Sequence, residues 1–95
     1  MSTIFTSGLS DMITAFLEEK HALGYKYEEN ERYLRNFDKM CTERFPSINT
    51  VTKEAGFAWA IANSGENHGG FARRMSSVRE LARFIIRSGK TAFVI

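Results

Sequence analysis

Apolar residues recur every three or four positions in four separate stretches of the chain, which is the spacing of one face of an α-helix. The first stretch predicts a helix from about Leu9 to Leu23, and the second a helix from about Tyr27 to Arg44. The third predicts a short helix from Lys53 to Asn63, and the fourth a helix from Phe71 to Ser88. We therefore expect residues 1–95 to form one all-α domain, a compact four-helix bundle.

Residues that end or begin helices separate the four stretches. Gly24 and Gly89 follow the first and the fourth, where glycine takes the left-handed conformation at little cost. Pro46 prevents the second helix from continuing. Thr52 is placed to cap the third helix, and Ser7 or Ser10 to cap the first.

Two segments lie outside the predicted helices. Asn63–Gly70, with the sequence NSGENHGG, has the composition of a loop. Thr91–Ile95 is short and apolar, and it predicts a link that leads away from the bundle.

The predicted core centres on large side chains from all four apolar stripes, namely Phe16, Leu34, Phe37, Trp59, Val78 and Ile85. Leu23 and Phe71 continue the stripes of the first and fourth helices, and we expect them to be buried as well. Cys41 is the only cysteine, which excludes an internal disulfide, and its place on the apolar side predicts a buried packing residue.

Positive charge is concentrated at one end of the chain, although the net charge is only +2. Residues 1–69 contain seven Lys and Arg against ten Asp and Glu, whereas residues 70–95 contain six against Glu80 alone. Such asymmetry favours contact between the C-terminal segment and a polyanion, with a solvated helix face as the alternative.

The basic and small polar residues fall mainly on the outer sides of the second and fourth helices, which could straddle a groove of duplex DNA. The candidates for DNA contact are Lys26, Arg32, Arg35, Asn36, Lys39, Arg73, Arg74, Ser76, Ser77, Arg79, Arg83 and Arg87.

Several of these candidates have an alternative role within the fold. Arg74 points nearer the apolar side, and Arg79 could pair with an internal carboxylate. Arg35 could pair with Asp38 or Glu31, and Lys39 with Glu43, at helical spacing. Tyr27 is more typical of a core residue than of a DNA contact.

Catalytic and cofactor motifs are not recognisable in the sequence. His21 and His68 are far apart and lack the spacing of metal ligands. The glycine-rich loop lacks a phosphate-binding pattern, and adjacent pairs such as Glu18–Glu19 do not face each other on a helix. We expect no cofactor, no metal and no enzymatic activity.

Several segments, in order, resemble the phage integrase (tyrosine recombinase) family. They are LEEK (Leu17–Lys20), LGYKY (Leu23–Tyr27), LRNFDKMC (Leu34–Cys41), TKE (Thr52–Glu54), WA (Trp59–Ala60), RRMSSVRELARF (Arg73–Phe84) and GKTAFV (Gly89–Val94). Together they cover nearly the whole chain.

The resemblance implies a SAM-like core-binding domain that grips one face of a recombination site on double-stranded DNA. It implies as partners the catalytic domain of the same full-length protein and other recombinase protomers on the DNA. The catalytic arginine, lysine, histidine and tyrosine set of the family has no counterpart here, so Tyr25, Tyr27 and Tyr33 are not expected to act as nucleophiles.

An alternative is a helical protein–protein interaction module that does not bind DNA, with the apolar tail as a docking segment. The sequence contains neither a membrane-spanning stretch nor a secretory signal. We therefore expect a cytoplasmic protein of bacterial or phage type, associated with the nucleoid.

Overall fold

Four α-helices make up the fold in the computed structural model, which describes residues 5–61 and 67–95. They are α1 (Ser10–Ala22), α2 (Glu28–Arg44), α3 (Lys53–Ile61) and α4 (His68–Arg87). The described residues contain no β-strand, and the radius of gyration is 12.5 Å, close to the value of about 12.4 Å typical of a compact domain of this length. The predicted all-α bundle is confirmed. α4 packs against each of the other three helices and is the central element of the bundle.

The core forms where the apolar sides of the helices meet, and all six predicted core side chains are buried in it. Phe37 and Trp59 pack edge to face with ring centroids 5.4 Å apart, which joins α2 to α3. Phe16 and Phe84, also 5.4 Å apart, join α1 to α4. Cys41 lies in the same core, as predicted.

Two apolar residues that the stripes assigned to the core are exposed. Leu23 is 67% exposed because α1 ends at Ala22 and the chain then turns at Gly24, where φ is +92°. Phe71 is 41% exposed, in the first turn of α4. Helical spacing gives the direction of a side chain from its axis, but a neighbouring element must also reach that position to cover it.

The start of α4 differs from the prediction. The helix begins at His68 rather than Phe71, so Gly69 and Gly70 belong to its first turn instead of a loop. The side chain of Asn67 caps this turn, because its Oδ1 accepts a hydrogen bond of 2.7 Å from the backbone N–H of Gly70. The predicted end of the third helix at Asn63 lies outside the described residues.

Ser7 and a carboxylate of α2 hold the segment before α1. The Ser7 hydroxyl accepts a hydrogen bond of 3.1 Å from the N–H of Leu9 in the turn before the helix, but Leu9 occupies the N-cap position and no side chain caps α1 itself. The buried carboxylate of Asp38 accepts hydrogen bonds from the Ser7 hydroxyl (2.6 Å), the Ser7 N–H (3.0 Å) and the Thr6 N–H (3.0 Å). The segment that leads into α1 is thereby fixed to α2.

The C-terminal tail packs back on the bundle, which corrects the prediction of a link that leads away. The N–H of Phe93 donates to the carbonyl of Val51 at 2.8 Å, and the Phe93 ring lies 5.7 Å from that of Phe57. Ile95 packs so close to Gly56 that a Cβ there would lie 3.1 Å from its side chain. Packing on the bundle removes the apolar side chains of the tail from water, which lowers the free energy of the folded chain.

The remaining predicted helix boundaries lie within one residue of the observed ones. The Thr52 hydroxyl accepts a hydrogen bond of 3.1 Å from the N–H of Ala55, as expected of a cap. Gly24 and Gly89 both have φ of +92°, in the left-handed region that a side chain would disfavour.

Candidate nucleic-acid interface

Three arginines form a continuous line along α4, in which Arg79 is half-buried and Arg83 and Arg87 are exposed. Arg79, Arg83 and Arg87 are spaced four residues apart, so each lies about 40° around the helix from the next. The C-terminal tail borders this line on one side and α1 on the other, because Arg79 contacts Ile95 and Arg87 contacts Glu19. We call these three residues the arginine ridge.

The two outer members of the ridge are held in place, and the middle one is open. The Nε–H of Arg79 donates to the carbonyl of Ile95 at 3.0 Å. Arg87 donates to both carboxylate oxygens of Glu19, each at 3.1 Å. Arg83 is exposed and makes no hydrogen bond or ion pair with any residue of 5–61 or 67–95.

The pairing of Glu19 with Arg87 shifts the pKa of each group toward its charged form. The hydrogen bond from Arg87 lowers the pKa of Glu19, and the same bond raises the pKa of Arg87. Both side chains face solvent, so salt screens their attraction and the pair leaves Arg87 available to another anion.

Glu80 is the only acidic side chain among residues 70–95, and it contacts Lys20 of α1 and Tyr27, the residue before α2. Its Oε1 accepts a hydrogen bond of 3.0 Å from the Tyr27 hydroxyl and lies 3.6 Å from Nζ of Lys20. Its Oε2 accepts from the hydroxyl of Ser76 at 3.3 Å. Tyr27 and Lys20 lie outside α4, whereas Ser76 precedes Glu80 by four residues on the same helix.

Arg73 and Ser76 are the other α4 candidates that retain some exposure. Arg73 forms an ion pair with Glu29 of α2 at 3.3 Å, and both side chains are about half exposed. Ser76 is half-buried, and its hydroxyl donates a hydrogen bond to Glu80. Together with the ridge, these two residues make up the α4 outer face.

Arg74 and Ser77 do not belong to this surface, which corrects their place among the candidates. Arg74 is only 2% exposed, its guanidinium lies over the rings of Trp59 and Phe71, and it donates a hydrogen bond to the carbonyl of Trp59. Ser77 is fully buried and donates to the side chain of Asn30 at 2.9 Å. Both positions lie on the side of α4 that α2 and α3 cover.

The basic side of α2 points away from α4. Asn30 marks the side that faces α4, because it bonds to Ser77. Arg32, Arg35 and Lys39 lie about 140–180° around α2 from Asn30, at about 100° per residue. The structure therefore does not bring the basic sides of α2 and α4 onto one surface.

The α2 candidates make contacts of their own. Arg35 pairs with Glu31 at 3.0 Å, which confirms one of the two pairings weighed for it. Arg32 lies over the ring of Tyr33, with 5.3 Å between the guanidinium carbon and the ring centroid.

The two remaining α2 candidates lie in a shallow cleft between α2 and α3. Asn36 and Lys39 line this cleft, which has a volume of about 280 Å³ and is also lined by Tyr33, Met40, Glu43, Trp59 and Arg74. Lys26 is exposed in the segment between α1 and α2.

Other chemistry is sparse in the part of the chain that the structure describes. No group of three or more His, Cys, Asp and Glu side chains there is placed to hold a metal ion. Burial, followed by the nearby charge of Asp38, raises the pKa of the Cys41 thiol to about 12, so the thiol stays protonated. None of the described helices combines the length and the apolar character needed to cross a bilayer.

Sequence reasoning missed the residues that shape the charge of the α4 outer face. Glu19, Lys20 and Tyr27 lie at least 53 residues from their partners on α4, so no local pattern connects them. The one available signal was the isolation of Glu80 within a basic segment, which leaves a carboxylate in need of a partner.

No protein-family model, no curated protein and no solved structure matches this chain. Function is therefore inferred from the contacts and charges of the described residues, together with the resemblance drawn from its sequence.

Proposed function

We propose that this chain is the DNA-binding, core-binding domain of a tyrosine recombinase of the phage integrase type. It grips one face of a recombination site on double-stranded DNA through the α4 outer face. The catalytic domain of the full-length protein and other protomers on the DNA are its partners. The arginine ridge is the observation that carries the proposal.

Stability explains the ridge only in part, because Arg79 and Arg87 have partners within the fold whereas Arg83 has none among the described residues. Like charges four residues apart on a helix repel by about 0.2–0.5 kcal/mol per pair, and Arg79, Arg83 and Arg87 make two such pairs. A polyanion removes this repulsion and releases its own counterions when arginine neutralises its phosphates. Arginine suits this role because its planar fork donates two parallel hydrogen bonds to one phosphate.

The isolated chain binds a duplex weakly under this proposal. Without the catalytic domain, only half of the clamp closes, and the gain in effective concentration from a second linked contact is lost. The dissociation constant is therefore expected in the non-specific range of about 10⁻⁴–10⁻⁶ M at physiological salt.

Fluorescence anisotropy of a labelled duplex, titrated with the chain at several salt concentrations, tests the proposal. Arg83→Ala and Arg87→Ala should each weaken binding, and each should reduce the slope of log affinity against log salt by roughly one if it removes one phosphate contact.

Lys39→Ala is the matched control. It removes one positive charge from the cleft between α2 and α3, outside the α4 outer face, so it should change the affinity much less than Arg83→Ala. Thermal melts first establish that every variant is folded. If both α4 variants bind with unchanged affinity and slope, the ridge is a solvated surface and the proposal is wrong.

A protein–protein interaction module remains the second candidate, and the outer side of α3 favours it. Ile61 is 81% exposed and Phe57 is 48% exposed, four residues apart on that helix. Exposed apolar side chains in one place are typical of contact surfaces. Undetectable duplex binding at low salt would favour the protein–protein interaction module over DNA binding.

A further inference from the structure

Glu80 stands where it would ordinarily neutralise the ridge. It precedes Arg83 by three residues on α4, and opposite charges at that spacing attract each other on a helix surface. A Glu80–Arg83 pair would occupy the one ridge arginine that has no partner among the described residues. The structure nevertheless directs the carboxylate elsewhere.

Tyr27 and Lys20 provide the competing contacts from outside α4, and the Ser76 hydroxyl adds one from α4 itself. The Tyr27 hydroxyl donates to Oε1 of Glu80 at 3.0 Å, and Lys20 Nζ lies 3.6 Å from the same oxygen. The ammonium group of Lys20 is itself confined, because it lies 5.2–5.5 Å from the ring centroids of Phe16, Tyr25 and Tyr27. Its position is therefore fixed by aromatic faces that attract a cation.

The backbone of Tyr27 is shaped for this contact. Its φ of 58° and ψ of 24° make it the only non-glycine residue with positive φ among those that the structure describes. A bulky residue rarely adopts this conformation unless its surroundings require it. The ring packs edge to face on Phe16 with centroids 5.7 Å apart, which aims the hydroxyl at α4.

The Tyr27 hydroxyl also stays protonated, as a hydrogen-bond donor to Glu80 must. Burial, followed by the charge of Glu80, raises the pKa of its hydroxyl well above the ordinary value of 10. The phenol therefore keeps its proton throughout the neutral range.

We infer that Tyr27 and Lys20 are positioning residues that hold Glu80 away from Arg83 and so keep the arginine ridge open to a phosphate backbone. The inference rests on the proposed DNA-binding function. It assigns to α1 and α2 a role in DNA binding that requires no contact between those helices and the DNA.

Tyr27→Phe is the sharpest test, because it removes one hydroxyl and leaves the net charge and the ring unchanged. Glu80 then keeps only its contacts with Lys20 and Ser76, so it should pair with Arg83 more often. Duplex affinity at low salt should fall by up to about two-fold, since the usual attraction between opposite charges three residues apart on a helix must be broken on binding. The salt slope should also fall, by up to about one. Tyr33→Phe, which removes a hydroxyl from the middle of α2, is the matched control and should bind as the unaltered chain does.

A second substitution separates positioning from a general structural effect. Glu80→Gln removes the competing charge, so adding Tyr27→Phe to Glu80→Gln should cause no further loss of affinity. An equal loss from Tyr27→Phe with and without Glu80→Gln would overturn the inference, because the effect would then be independent of the carboxylate.

The two proposals fail in different ways. If Arg83→Ala weakens binding and Tyr27→Phe does not, the positioning role is wrong and the DNA-binding function stands. If Arg83→Ala has no effect on affinity or salt slope, both are wrong.

Discussion

The side chains of Trp59 and Arg74 each donate a hydrogen bond to the backbone carbonyl of the other residue. The indole Nε1–H of Trp59 donates to the carbonyl of Arg74 at 3.0 Å, and the guanidinium of Arg74 donates to the carbonyl of Trp59. The guanidinium carbon also lies 4.8 Å from the centroid of the Trp59 ring system. This reciprocal contact fastens α3 to α4, and it accounts for the removal of one arginine from the basic surface.

Trp59→Ala should lower the free energy of unfolding by about 3–5 kcal/mol, the usual cost of truncating a buried large aromatic residue. Trp59 is 4% exposed, and its loss also leaves the carbonyl of Arg74 without its indole donor. Urea denaturation followed by circular dichroism measures the change. Phe57→Ala, on the exposed side of the same helix, is the control and should cost much less. A near-zero effect of Trp59→Ala would mean that the indole lies outside the core.

Asp38→Ala should destabilise the chain by about 1–3 kcal/mol, because it leaves buried donors at Ser7 without an acceptor. Hydrogen exchange of the Thr6 and Ser7 amides should accelerate at the same time, since both donate to this carboxylate. Asp11→Ala, an exposed acid in the first turn of α1, is the matched control. Unchanged exchange at Thr6 and Ser7 in Asp38→Ala would contradict the contact.

The Glu19–Arg87 pair should make stability depend on acid pH. The pKa of Glu19 is lowered in the folded chain, so the pair stabilises the fold above the ordinary carboxyl pKa of 4.5. This contribution is lost as the pH falls through the lowered, folded-state pKa. An NMR titration of the Glu19 carboxyl group in Arg87→Gln should show the pKa returning toward its ordinary value.

Arg83→Gln makes the same charge change one helical turn away, so it should leave the Glu19 titration nearly unchanged. An equal shift of the Glu19 pKa in both variants would show that general charge, rather than the bond from Arg87, lowers it.

The chain should form no covalent adduct with DNA, because no catalytic set of the recombinase kind is recognisable in its sequence. A nicked suicide substrate traps the phosphotyrosine adduct of a tyrosine recombinase, and denaturing electrophoresis then detects it. A complete recombinase is the positive control. A trapped adduct with this chain would mean that one of Tyr25, Tyr27 and Tyr33 is a nucleophile.

The features that the sequence determined by itself are local ones. The capping of α3 by Thr52 and the turns at Gly24 and Gly89 depend only on neighbouring residues, and all are as predicted. The same holds for the burial of Leu34 and Val78, because helical periodicity sets which side of each helix is apolar. Asn67 carried an equally local signal for the start of α4, which the glycine pair beside it obscured.

The tertiary structure alone decided which charges face solvent and which are already paired. Arg74 and Arg83 belong to the same basic helix, yet the carbonyl of Trp59 accepts from one while the other stays open. Glu80 turns toward Tyr27, 53 residues away, instead of toward Arg83. The reason is physical: periodicity fixes the direction of a side chain from its own helix axis, whereas its partner depends on which distant element packs there. Buried polar groups then select among the partners that packing supplies.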